Sequence, residues 1–184
     1  MKISMSIFCA FLCVSLLSAQ DAPVVERQVF TLQAEQNKTL QFEGKLEDGM
    51  TMPLRWAENS SMACFPGTRF VEYQGNHVLY RMVMPAYSDL KITVKPKDPK
   101  HRINIYALRL GANNMGFPPN LSSAISCEAG YPIYAGTPNF DAPAEERSVS
   151  YISVNRPYNI LIGVAGAKGF TSGDYILEVA LKER

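Results

Sequence analysis

Two cysteines, two histidines and a scatter of carboxylates are the side chains of this 184-residue chain best suited to chemistry. Cys9 and Cys13 sit in an apolar N-terminal run that reads as a removable leader, so Cys64 and Cys127 are the thiols a mature chain keeps. Two cysteines in an exported protein permit one intramolecular bridge. Closing a loop of this length restricts the unfolded chain by about 4 kcal/mol. Two buried thiols or half of a zinc site are the alternatives. Zinc is poorly served, because neither cysteine has a second cysteine or a histidine at ligand spacing. His77 and His101 lie beside predicted turns, where a solvated imidazole is expected rather than a general base. Glu43, Glu47, Asp48, Asp141, Glu145, Glu146 and Asp174 fall mostly in turn-like stretches, and glycoside hydrolysis would need two of them facing each other. Asp141, Glu145 and Glu146 offer oxygen ligands for calcium, though not at EF-hand spacing. The chain contains no Gly-x-Ser-x-Gly elbow, no His-Glu-x-x-His and no phosphate-cradling glycine loop after a strand. No catalytic residue and no metal ligand set is assigned. No cofactor is expected, with calcium kept as an alternative.

The elements around these groups begin with the leader. Lys2 supplies a short positive region, Ile7 to Leu17 is an unbroken run of apolar and small residues, and Ser18-Ala19 offers a small-residue cleavage site. That is the plan of a secretory signal over residues 1–19, too short for a membrane span. No second long apolar run follows, so the mature chain is expected to be soluble and to work in the periplasm or outside the cell. Lys2 is the leader's only charged residue, so its removal takes the formal net charge from +1 to zero. No basic stripe exists for nucleic acid and no polybasic arm for an anionic membrane. The basic stretch from Lys91 to Arg102 is interrupted by Asp98 and two prolines, as in a solvated turn.

Residues 20–27 read as an N-terminal arm and 28–184 as one domain, long enough to bury a core. Side chains alternate with period 2 through much of it, as a strand burying one face requires. Val149–Val154, Tyr158–Val164 and Asp174–Leu181 are the plainest strands. They are separated by Asn155-Arg156-Pro157 and by a loop running from Gly166 to Gly173. Gln28–Ala34, Lys38–Leu46, Leu90–Lys95 and Arg102–Leu110 follow the same rule, and Met52–Ala57 more weakly. Thr68–Tyr73 and His77–Met84 flank Gln74-Gly75-Asn76, a hairpin signal. The proline- and glycine-rich stretch 111–144 reads as one long loop, strand-like only at Tyr131–Tyr134. No amphipathic helical period of useful length follows the leader. The expected fold is all-β: an antiparallel two-sheet β-sandwich, jelly-roll-like, with eight to nine strands.

The middle and the end of the domain carry a resemblance. Gly75-Asn-His-Val-Leu-Tyr-Arg-Met-Val-Met-Pro85, Ser88-Asp-Leu-Lys-Ile-Thr-Val94 and Ile103-Asn-Ile-Tyr-Ala-Leu108 resemble the central strands of bacterial pre-peptidase C-terminal domains. Tyr158-Asn-Ile-Leu-Ile-Gly-Val164 with Gly173-Asp-Tyr-Ile-Leu-Glu-Val179 is similar to that family's closing block. The resemblance spans residues 70 to 181. It implies a β-sandwich accessory module, not itself catalytic, associated with surface or substrate attachment. Ile103-Asn104-Ile105-Tyr106 stands where the family often carries an Asp-rich turn, so the calcium site of some relatives is not matched.

The expected function is a secreted or periplasmic, non-catalytic binding or attachment module, facing a protein or glycan surface. Exposed aromatics would serve as rigid platforms. The long loop supplies the candidates Phe117, Tyr131, Tyr134 and Phe140. A subunit of a surface assembly, donating Asp21–Arg27 to a neighbour's sheet edge, is one alternative. A secreted hydrolase with unrecognised carboxylates is the other. Oligomeric state is not legible. Asn37, Asn59 and Asn120 head glycosylation sequons that matter only in a eukaryotic secretory route.

Overall fold

A computed structural model describes residues 28–132 and 145–184. The leader, the arm, Tyr134, Phe140 and Asp141 lie outside the described residues. Nine strands form two sheets: β1 Val29–Thr31, β2 Lys38–Lys45, β3 His77–Met84, β4 Ser88–Pro96, β5 Ile103–Leu110, β6 Ser126–Gly130, β7 Arg147–Ser153, β8 Tyr158–Gly166 and β9 Asp174–Glu183. One sheet runs β1-β3-β8-β5-β6 and the other β2-β9-β4-β7. All pairings are antiparallel except β1 with β3, which is parallel. Of the consecutive strands only β5 and β6 are neighbours; every other connection crosses from one sheet to the other. Asn155-Arg156-Pro157 is therefore a crossing and not a hairpin turn.

Strand parity builds the inter-sheet core. Val78, Tyr80 and Met82 of β3, with Ile160, Ile162 and Val164 of β8, face Leu90, Ile92 and Val94 of β4 and Leu177, Val179 and Leu181 of β9. The second sheet is wet on its outer side, and its strands β2, β7 and β9 alternate in burial accordingly. The first sheet differs. Strands β3, β5 and β8 are buried almost without a break along their lengths, as happens only when both faces are covered.

The cover is a third, irregular layer. Residues 50–76 and 111–125 fold over the outer face of the five-stranded sheet. Met52, Leu54, Trp56, Met62, Phe65 and Tyr73 pack there against Leu79, Tyr106, Leu108 and Leu161. Two expected strands belong to this layer and are 3-10 turns instead: Arg55–Glu58 overlaps the end of the expected Met52–Ala57, and Gly67–Tyr73 covers the expected Thr68–Tyr73. The hairpin across Gln74-Gly75-Asn76 does not form. Gly75 and Asn76 instead bond to the β8–β9 loop, through Gly166 and Phe170. Cys64 of the cap is bonded to Cys127 of β6, with Cα atoms 4.9 Å apart, so the bridge staples the layer to the sheet beneath it.

Polar groups fix the register of the layers. The Tyr151 hydroxyl reaches across the sandwich from β7, donates to the Ala107 carbonyl and accepts the Glu128 N–H at 3.1 Å. It thus bridges two residues that stand opposite each other on β5 and β6. Burial pushes its phenol pKa well up, so it stays a neutral hydroxyl. Tyr80 and Tyr175 share a 2.7 Å hydroxyl contact within the core.

Candidate functional site

The chemically capable residues of the sequence are mostly spent on the fold. His77 is buried, not solvated as expected. Its Nε2–H donates to the Tyr73 carbonyl at 2.6 Å, and its Nδ1 lies 3.1 Å from the Tyr106 hydroxyl, within hydrogen-bond distance. His101 lies edge-on to Phe170, with ring centroids 6.2 Å apart. Glu43 pairs with Lys97 at 2.9 Å, Glu146 with Lys95 and Glu145 with Arg147. The Glu47 carboxylate accepts the Gly173 N–H at 3.1 Å. Its own backbone N–H and that of Gly173 hold its carboxyl below the usual range. Among the described residues no three His, Cys, Asp or Glu side chains are grouped to hold a metal ion.

Two of the four candidate aromatics are described, and both are half-buried against the cap. Tyr131 meets Tyr73 edge to face at 6.2 Å and lies under the Arg69 guanidinium at 5.3 Å. Phe117 packs against the same cluster. A shallow hollow of about 360 Å³ opens beside Cys64, lined by Ala57, Glu58, Ala63, Phe65 and Pro66. Its one carboxylate, Glu58, is occupied by the Gly67 N–H at 2.6 Å.

A different region presents side chains to solvent. The exposed large hydrophobic residues are Val83, Tyr87, Met115, Ile125, Ile152 and Val154. The strand registers place all of them at one end of the sandwich, where β3, β5 and β7 finish and β4, β6 and β8 begin. Among the described residues the opposite end has none. Met115 is the most deliberately held, since it sits 65% exposed on a loop that is locked from below. Arg81 of β3, only 7% exposed, donates to the carbonyls of Asn114, Met115 and Gly116 at 3.1, 2.8 and 3.0 Å. Burial lowers its pKa. The Asn159 amide of β8 donates to the Asn114 carbonyl at 3.0 Å, and the Asn114 side chain accepts the Gly116 N–H at 2.9 Å. Tyr87, in the β3–β4 turn, holds a left-handed backbone with φ +53° while 59% exposed, an unusual conformation for an aromatic residue.

Cations accompany this apolar rim. The Arg109 and Arg156 guanidiniums both lie against the Tyr158 ring, at 5.0 and 5.4 Å from its centroid. Arg156 Nε–H donates to the Tyr158 hydroxyl at 3.0 Å, and that bond, with the nearby charges, lowers the phenol pKa. Among the described residues no carboxylate pairs with Arg109 or Arg156, whereas Asp89 at the same end is tied to Arg184 at 3.3 Å. Periodicity could not find this rim, because it is assembled from turns far apart in sequence. The available signal was a Met among the uncharged glycines, asparagines and prolines of 111–120 and a Val-Asn-Arg turn lacking acidic residues.

The class this architecture defines is the two-sheet β-sandwich, here with one outer face capped. No protein-family model matches the chain, and no curated protein does. Among solved structures it is similar to the periplasmic inhibitor of g-type lysozyme from Aeromonas hydrophila, PliG: 13% identity, 83% of this chain and 95% of that one covered, TM-score 0.41. The PliG of Salmonella Typhimurium is similar at 9% identity, with 84% and 99% covered and a TM-score of 0.37. The pre-peptidase C-terminal domain of a Bacillus anthracis collagenase follows at 13% identity, 85% and 97% covered, TM-score 0.35.

Proposed function

We propose that this chain is a non-catalytic binding module that acts outside the cytoplasm, secreted or periplasmic, through the rim around Met115. The observation that carries the reading is the collection of every exposed large hydrophobic residue of the described chain at one end of the sandwich. Scattered surface hydrophobics need no explanation, but a gathered set rimmed by polar groups is the signature of an interaction surface. The Arg81 lock supports it, because a loop already held in one conformation loses little entropy when a partner arrives. The leader-like residues 1–19 and the Cys64–Cys127 bridge fit an oxidising compartment.

Two measurements test the proposal. Fractionation of cells expressing the full chain should recover a processed form outside the cytoplasm, with both thiols closed to alkylation. Separately, Val83→Thr, Met115→Gln and Val154→Thr together should leave the melting temperature unchanged or raise it, since exposed methylenes do not contribute to the core. A marked destabilisation would show that the rim serves folding, and the reading would fall.

A further inference from the structure

Resting on the binding-module reading, we infer that the rim formed by Val83, Met115, Val154, Arg156 and Tyr158 docks a protein partner that presents carboxylates beside aliphatic side chains. The argument begins with continuity. Val83 stands opposite Asn159 in the β3–β8 ladder, and the Asn159 amide lies 3.4 Å from the Met115 sulfur. Tyr158 precedes Asn159 in β8, so its side chain turns to the inter-sheet side of the strand end, where the Arg109 and Arg156 guanidiniums both lie against its ring. Arg109 also reaches the Ile152 carbonyl at 3.4 Å, joining the β5 end to the turn that holds Val154 and Arg156. Apolar and cationic groups are thus gathered at the same end of the sandwich, on adjoining sides of the β8 strand end.

Charge then selects the partner. Arg156 is exposed, and its Nε–H is committed to the Tyr158 hydroxyl. Its terminal nitrogens keep their donors, in the planar fork that matches a carboxylate with two parallel hydrogen bonds. Arg109 adds a second positive charge, and both cations lie against the Tyr158 ring. Among the described residues neither Arg109 nor Arg156 is ion-paired with a carboxylate, and Asp89 at the same end is paired with Arg184. Composition favours a protein over a glycan or a lipid headgroup. Methionine, tyrosine and arginine together are what the centres of protein interfaces are made of. A polyanion site would instead need several lysines or arginines without the aliphatic share.

The test uses the full mature chain with its bridge intact, and a phage-displayed library of random dodecapeptides as probe. Selection on the wild type, with counter-selection on Met115→Glu/Arg156→Glu, should enrich peptides carrying Asp or Glu next to Leu, Ile, Val or Phe. Enriched synthetic peptides should lose at least tenfold in affinity to either single variant and nothing to Lys168→Glu at the opposite end. Enrichment without acidic preference, or peptides insensitive to both variants, would overturn the inference. So would tight binding of heparin or of anionic phospholipid vesicles at this rim, or self-association abolished by Met115→Glu, which would make a polyanion, a membrane or a second copy the occupant. If the double variant melts far below the wild type, the binding-module reading itself fails. If it melts normally and no acidic peptide emerges, only the partner chemistry is wrong.

Discussion

Arg81→Met removes the device that holds the Met115 loop, and its cost can be worked from the hydrogen bonds. The guanidinium serves three carbonyls, at Asn114, Met115 and Gly116. The Asn114 oxygen keeps the Asn159 amide at 3.0 Å, so two acceptors, those of Met115 and Gly116, lose their guanidinium donors. A hydrogen bond from a charged donor is worth about 1.5–3 kcal/mol. Against that, methionine of similar length relieves the burial of a cation with no carboxylate beside it, which offsets part of the loss. Water can also reach a loop at the rim. The net global loss should therefore be modest, about 1–3 kcal/mol, or roughly 2–12 °C in melting temperature for a domain of this size. The local effect should be larger in proportion. The Asn114 amide, bonded to the Gly111 carbonyl at 2.9 Å, and the Gly116 amide, bonded to the Asn114 side chain at 2.9 Å, report on the loop directly. Hydrogen exchange should show their protection falling at least about tenfold, which corresponds to about 1.4 kcal/mol, while amides in the middle of β8 change only by the global amount. Unchanged exchange at 114 and 116 would refute the reasoning. So would a loss spread evenly over β3, β8 and the loop, which would make Arg81 a packing residue and no lock.

Three other perturbations probe the layers that support the rim. Tyr151→Phe strands the Ala107 carbonyl and the Glu128 N–H at the β5–β6 seam; chemical denaturation should show a loss of about 1–3 kcal/mol, and an unchanged midpoint would contradict the bridging role. Gly163→Ala places a methyl inside the Tyr106 ring on the capped face, so overpacking of about 1–3 kcal/mol is expected, with near-ultraviolet circular dichroism of the aromatic cluster altered; full tolerance would contradict the close approach of cap and sheet. Glu47 has a folded pKa below its unfolded one, so its stabilisation is complete above the ordinary carboxylate range and is lost as pH falls through the lower folded value. Melting followed from neutral pH to about pH 3 should therefore show a shallower acid loss for Glu47→Gln than for the wild type, and parallel curves would sink the assignment.

Strands and their partners were legible to different degrees. Burial on one face writes alternation into the sequence, so β2, β7 and β9 were readable residue by residue. Alternation names no neighbour, however. Tyr175, Leu177 and Val179 would satisfy any sheet whose inner face is apolar, and β9 in fact lies between β2 and β4, both distant in sequence. The expected turns at 74–76 and 155–157 carried hairpin-like residues, yet both pass between layers. Tertiary contacts chose the route: Gly75 and Asn76 bond to the β8–β9 loop, and Ser153 Oγ donates to the Arg156 carbonyl at 2.6 Å across the turn.

The capped face could have been inferred from what broke the rule. Ile103 to Leu108 and Asn159 to Ala165 are apolar on both parities apart from Asn104, Asn159 and Gly163, too apolar for strands wet on one side. Such runs demand a second cover, and residues 50–76, rich in aromatics yet poor in alternation, were the chain left to provide it. The same logic separates the aromatics. Trp56, Phe65 and Tyr73 had a dry face to meet and are buried, with Phe65 and Tyr73 stacked at 4.1 Å. Val83, Met115 and Val154 lie beyond the edge of that cover and stay exposed, although Arg81 and Asn159 touch the Met115 sulfur from below. An apolar side chain that the fold had the means to bury and did not is therefore informative only at the rim. There the cap ends on a loop whose backbone and Met115 sulfur are both held by Arg81, and Met115 is still left 65% exposed.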